Sequence, residues 1–195
     1  MLGGAVSGVL YEISALAVVP PLAVVLSLGA WLVLRRRGAL SARRLLAWWV
    51  TCWYLLAVVA VTLFPLQVAL GAYGNRSPWY EKMNFIPVLT IDPTTFVLNI
   101  IMFVPLGVLL PLVTRVRGVR HVALVSLTVS GVVEMLQFLS NVLVSSGRLA
   151  DLNDLLANTL GGVLGFLAWR VLGGPSTAER FMNPDRAPQV RQPVG

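Results

Sequence analysis

Five long apolar runs, separated by short polar segments, dominate the chain; they fall at about residues 13–34, 45–66, 95–114, 121–144 and 152–172. A helix needs about 20 residues to cross a hydrocarbon core of ~30 Å, and each run reaches that length. The pattern predicts an all-α, polytopic transmembrane bundle of about five helices, forming a single domain over residues 1–172. Pro20 and Pro21 interrupt the first run and predict a kink or a split. No basic residue precedes that run, so it reads as a retained helix and not as a cleaved signal peptide.

Polar residues inside the runs are few and ordered. At 100° per residue, Ser126, Ser130, Glu134, Gln137 and Asn141 share an arc of roughly 80° on the fourth helix. Lipid cannot cover such a stripe, because an ionisable group in hydrocarbon is costly. On the fifth helix Asp151, Asp154 and Asn158 lie within about 60° of one another, and Gly161, Gly162 and Gly165 extend that face. The simplest packing sets it against the stripe of the fourth helix. Asn99 adds a polar group near one end of the third. From the helical rise, Gln137 lies about 10 Å and Glu134 about 15 Å below the end of the fourth helix, while Arg148 can reach inward from the following loop. Together these positions predict a polar cup floored by Glu134.

Composition and charge set the orientation. Of the residues, 57% are hydrophobic and 12% charged, and the mean hydropathy is +0.81, so the bilayer is the expected solvent. The net charge of +7 does not point to nucleic acid, because the arginines sit between the apolar runs. Arg35, Arg36, Arg37, Arg43 and Arg44 fill the first loop, Arg115, Arg117 and Arg120 the third, and Arg170, Arg180, Arg186 and Arg191 follow the fifth helix. The second loop holds only Arg76 and Lys82, and the fourth only Arg148. Positive-inside bias then places the N-terminus outside and the C-terminus in the cytoplasm, so that the cup opens outward. Residues 173–195, rich in Pro, Gly and charge, read as a disordered cytoplasmic tail. Cys52 is the single cysteine, His121 the single histidine, and no hydrolase triad is available. No internal repeat argues for a transporter built from inverted halves.

Each candidate site residue has two readings. Asp151 is placed to cap the fifth helix, with Asp154 three residues on in a capping-box arrangement; the same D-x-x-D pair, with Asn158, suits a divalent cation such as Mg²⁺. Glu134 is a candidate general acid or base, or a buried carboxyl bonded to neighbouring amides. Arg148 suits a phosphate or carboxylate, or an interfacial anchor. Asn84, Asn99, Gln137 and Asn158 are candidate substrate contacts, or hydrogen-bonding groups that fix a turn and the helix packing.

The segments NFIPVLTI (84–91), LNIIMFVPLGVLLPLV (98–113), SGVVEMLQFL (130–139) and GRLADLNDLLANTLGGVLGF (147–166) resemble the VanZ-like family of bacterial membrane proteins, with an echo in TLFPL (62–66). The resemblance spans about residues 62–169. Asn84, Pro87, Asn99, Phe103, Pro105, Gly107, Glu134, Gln137, Arg148, Asp151, Asp154, Asn158 and Gly161 match its pattern. It implies a multi-pass protein of the bacterial plasma membrane with a cell-envelope role and a link to resistance against the glycopeptide teicoplanin. It implies no particular reaction.

Two function classes stay open. In one, the cup handles an anionic envelope molecule such as a lipid-linked cell-wall precursor, with Arg148 and a cation holding the anion. In the other, a non-catalytic scaffold or drug-access modulator uses its polar residues for helix packing. Whether a reaction is catalysed is left undecided.

Overall fold

Helices α1 (Ala15–Arg36), α2 (Ala42–Leu63), α3 (Pro93–Val113), α4 (Val119–Val144) and α5 (Leu152–Val171) account for the five apolar runs, in a computed structural model that describes residues 7–114 and 116–174. The expected tail lies outside the described residues from 175 onward, as does Arg115. α1 to α4 are long and apolar enough to cross a bilayer. α5 has comparable length but carries Asn153, Asp154, Asn158 and three glycines in its sequence, which leaves it less apolar than the others.

Local chemistry explains the helix limits. Ser41 opens α2, its hydroxyl accepting from the Arg44 N–H. Asp92 opens α3 ahead of Pro93, its carboxylate accepting from the Thr95 N–H at 2.9 Å; proline at the first helical position loses no hydrogen bond. Contrary to a split, α1 runs as one element through Pro20 and Pro21. α3 likewise continues through Pro105 and Pro111, and the Tyr54 hydroxyl of α2 donates to the Met102 carbonyl beside the first of these prolines.

The fold is not purely helical, which the apolar pattern did not predict. Strand β1 (Gly8–Ile13) pairs antiparallel with β2 (Leu66–Gly71), from Gly8 opposite Gly71 to Ile13 opposite Leu66. A short 3-10 turn, Trp79–Lys82, leads into β3 (Met83–Asn84), which pairs in parallel with β4 (Ala150–Asp151). All of these lie at the end of the bundle where α2 and α4 finish and α3 and α5 begin, called here the ribbon end. The opposite end, where α1 meets α2 and α3 meets α4, is the arginine end.

α5 sits against both α3 and α4, while α1 packs on α2 at the margin. The glycine face of α5 turns mainly to α3, and not to α4 alone as its spacing suggested. A Cβ on Gly161 would stand 2.2 Å from the Ile100 carbonyl oxygen, and one on Gly107 2.0 Å from that of Gly162. Backbone thus meets backbone, which only glycine permits. Two apolar clusters fill the remaining space, one of Val58, Phe103, Leu106 and Val133, the other of Leu110, Val122, Phe166 and Trp169.

Candidate functional site

The polar stripe of α4 is buried, as an ionisable stripe in a membrane helix must be: Ser126, Ser130, Glu134, Gln137 and Asn141 are all enclosed. Its partners are chiefly ends of other elements. Asn158 of α5 donates to the Ser130 hydroxyl at 2.9 Å, which joins the two predicted polar faces directly. Gln137 Nε2 donates to the Thr62 carbonyl at 3.2 Å, and Arg148 Nη2 to the Phe64 carbonyl at 2.9 Å. Both acceptors belong to the last turn of α2, where the helix leaves its final carbonyls without intrahelical donors. Pro65, following directly, has no N–H to offer them.

Glu134 serves the opposite need. Its Oε2 accepts the Asp151 backbone N–H at 2.8 Å, while Asp151 caps α5 by accepting from the Asn153 N–H at 2.7 Å. In a capping box the third helical residue reaches back to the cap residue's N–H. Here α4 supplies that carboxylate from outside the helix, so Asp154, the residue in that position, is released from the task. Asp154 instead lies beside Asn99 of α3. The buried Nδ2 of Asn99 has no hydrogen bond of ordinary geometry.

The loop ahead of α3 is clamped onto the same helix start. Asn84 Nδ2 donates to Asp151 Oδ2 at 3.0 Å and to the Thr90 hydroxyl at 2.6 Å. Asn153 Nδ2 donates to that hydroxyl as well, at 3.1 Å, and its Oδ1 accepts the Val88 N–H at 2.8 Å. Val88 is held at φ 71°, a left-handed conformation costly for a β-branched residue; the Asn153 bond helps to fix it. On the far side of the bundle, Lys82 is 5% exposed and donates to the Asn141 carbonyl at 3.1 Å and that of Asn75 at 3.3 Å. It ties the loop to the last turn of α4.

These clamps enclose a cavity of about 220 Å³, lined by Thr90, Asp92, Thr95, Phe96, Leu149, Asp151, Asn153 and Asp154. The expected cup is therefore divided. Asp151 and Asp154 face the cavity, whereas Glu134, Gln137, Arg148, Asn158, Asn84 and Asn99 do not line it. Three carboxylates stand on its wall and no cationic side chain does. Asp92 is held below the usual carboxylate range by the Thr95 hydroxyl first and the Thr95 N–H second, so it is ionised near neutral pH. Among the described residues, no three His, Cys, Asp or Glu side chains converge to hold a metal ion. A cation there would draw on Asp151 and Asp154 and complete its coordination with water or ligand oxygens.

Asp92, Thr90, Asn153 and Lys82 were not singled out from the sequence. Asp92 carried a readable signal, an Asp before a Pro that opens an apolar run. The other three owe their places to contacts between segments far apart in the chain.

A family model described as VanZ/LLP1 matches residues 51–173, more than half of the chain. The match takes in α3, α4, α5, most of α2 and every residue of the cavity, and leaves out β1 and α1. No curated protein and no solved structure matches the chain.

Proposed function

The chain belongs to the VanZ/LLP1 family, and on that footing we propose that it is a multi-pass protein of the bacterial plasma membrane that binds a cell-envelope ligand in the acidic cavity without transforming it. The observation that carries this reading is the division of labour among the polar residues. Glu134 and Arg148, the groups best suited to acid–base chemistry or anion binding, are both committed to backbone atoms, at Asp151 N and Phe64 O. The cavity wall is left to Asp92, Asp151 and Asp154.

Such a wall favours a ligand that brings positive charge. An anionic envelope molecule, such as the phosphate of a lipid-linked cell-wall precursor, enters this site together with a divalent cation such as Mg²⁺, which takes one or two carboxylates plus phosphate oxygens. In this reading α5 crosses the membrane as a fifth span, screened from lipid by α3 and α4. The arginine end faces the cytoplasm and the ribbon end, with its cavity, faces outward. The family link points to sensitivity to a glycopeptide such as teicoplanin as the phenotype to follow.

The test is teicoplanin sensitivity in cells expressing the native chain, Asp154→Asn or Glu134→Gln at matched membrane levels. Asp154→Asn is expected to abolish the phenotype of the native chain. Glu134→Gln is expected to keep it, since an amide oxygen still accepts the Asp151 N–H. A Glu134→Gln chain that is folded and inactive, beside a fully active Asp154→Asn chain, overturns the proposal and returns the site to Glu134.

A further inference from the structure

At the arginine end, α1 and α2 diverge around a groove of about 310 Å³ lined by Ser27, Leu28, Trp31, Leu45 and Trp49. Apart from Ser27 its walls are aliphatic and aromatic, and it opens on the membrane-facing side, where Leu28 and Trp49 are exposed. Its mouth meets the loop that carries Arg35, Arg36, Arg37, Arg43 and Arg44. The Arg35 guanidinium lies 5.1 Å from the centroid of the Trp31 ring, over the groove wall. Arg44 immediately precedes Leu45; its Nη1 reaches the Ala39 carbonyl at 3.5 Å, and its buried Nε has no hydrogen-bond partner. Residues 13–80 contain no Asp or Glu, so this stretch supplies no carboxylate of its own to neutralise the arginines.

We propose that this groove binds an anionic phospholipid of the leaflet at the arginine end, with an acyl chain between Trp31 and Trp49 and the headgroup phosphate on Arg35, Arg36 and Arg44. Charge and shape select that occupant over a zwitterionic lipid. Guanidinium groups pair with phosphate oxygens in a bidentate geometry, and a net negative headgroup offsets the uncompensated charge of the loop. A choline headgroup would set its own cation among the arginines. The groove lies in the part of the chain that precedes the family match, and the site does not depend on the ligand of the acidic cavity.

Native mass spectrometry of the full chain in detergent, with phosphatidylglycerol and phosphatidylcholine added in equal amounts, tests the proposal. The native chain is expected to retain phosphatidylglycerol in preference. In Arg35→Gln/Arg36→Gln the preference is expected to fall by about tenfold or more, while Arg120→Gln/Arg170→Gln, on other segments of the same end, leaves it in place. Equal retention of both lipids overturns the site, as does a preference that survives the first pair or falls equally in the second. A measurement on the native fold gives a second decision. Brominated phosphatidylglycerol should quench tryptophan emission more than brominated phosphatidylcholine, and Trp31→Phe/Trp49→Phe should remove the difference; a difference that persists rules out this groove.

Discussion

Glu134 shows how one side chain can look catalytic in sequence and act as a cap in space. An ionisable residue in the middle of an apolar helix invites a chemical role. Its observed bond, to the Asp151 N–H, fills the vacancy that every helix start leaves. The distinction is measurable as stability. Glu134→Ala removes the only acceptor seen for that N–H and is expected to cost about 1–3 kcal/mol, whereas Glu134→Gln keeps an acceptor and stays close to the native value. Thermal unfolding of the purified chains in detergent would compare the two, and equal losses would contradict the capping role. Arg148 and Gln137 belong to the same class, since each closes a carbonyl at the end of α2. That need could not be read from their own helix or loop.

Among the elements, α5 depends most on its neighbours. Its glycines bring its backbone onto that of α3, so the contact has no side chain to rearrange. Gly161→Ala drives a methyl group toward the Ile100 carbonyl and the Phe103 Cβ, and is expected to destabilise by about 1–3 kcal/mol. Gly131 of α4 is the control, because a Cβ there meets only Leu155 Cδ1 at 3.8 Å. Gly131→Ala should therefore stabilise by roughly 0.5–1 kcal/mol, through helix propensity. Opposite signs for two Gly→Ala changes in adjacent helices follow from contact geometry alone, and equal shifts of the unfolding midpoint would refute it. The strand pairs act on the same scale. β3 and β4 are only two residues each, yet they bring Asn84 level with Asp151 and so fix the loop that forms one wall of the cavity.

At the scale of the whole molecule, charge is segregated along the bundle axis. The described acidic residues Glu12, Glu81, Asp92, Asp151 and Asp154 lie at the ribbon end, with Glu134 below them. Arg35–Arg37, Arg43, Arg44, Arg117, Arg120 and Arg170 lie at the other end. This asymmetry supports the orientation under Proposed function, and impermeant thiol labelling of intact cells checks it. In a Cys52→Ala background, Arg76→Cys is expected to react from outside, whereas Leu40→Cys and Leu172→Cys are expected to react only after permeabilisation. Labelling of Leu172→Cys from outside would show that α5 does not cross.

The sequence by itself determined the helices to within a few residues, because apolar length and the arginine-bearing loops are local properties that a bilayer reads directly. It also determined that the α4 stripe is buried, because hydrocarbon excludes Glu134 whatever packs against it. It did not determine what that stripe touches. Periodicity assigns a residue to a face, but the partner on that face depends on how distant segments meet. Only the tertiary structure decided that the α5 glycines turn to α3 and that residues 66–71 return to pair with residues 8–13. The same holds for the predicted cup, which separates into a bonded interior around Glu134 and an open cavity edged by Asp92, Asp151 and Asp154. The physical reason is common to all three. Unsatisfied backbone groups at helix ends and in loops must find partners where water is scarce, and those partners are chosen by proximity in space, which the linear pattern does not record.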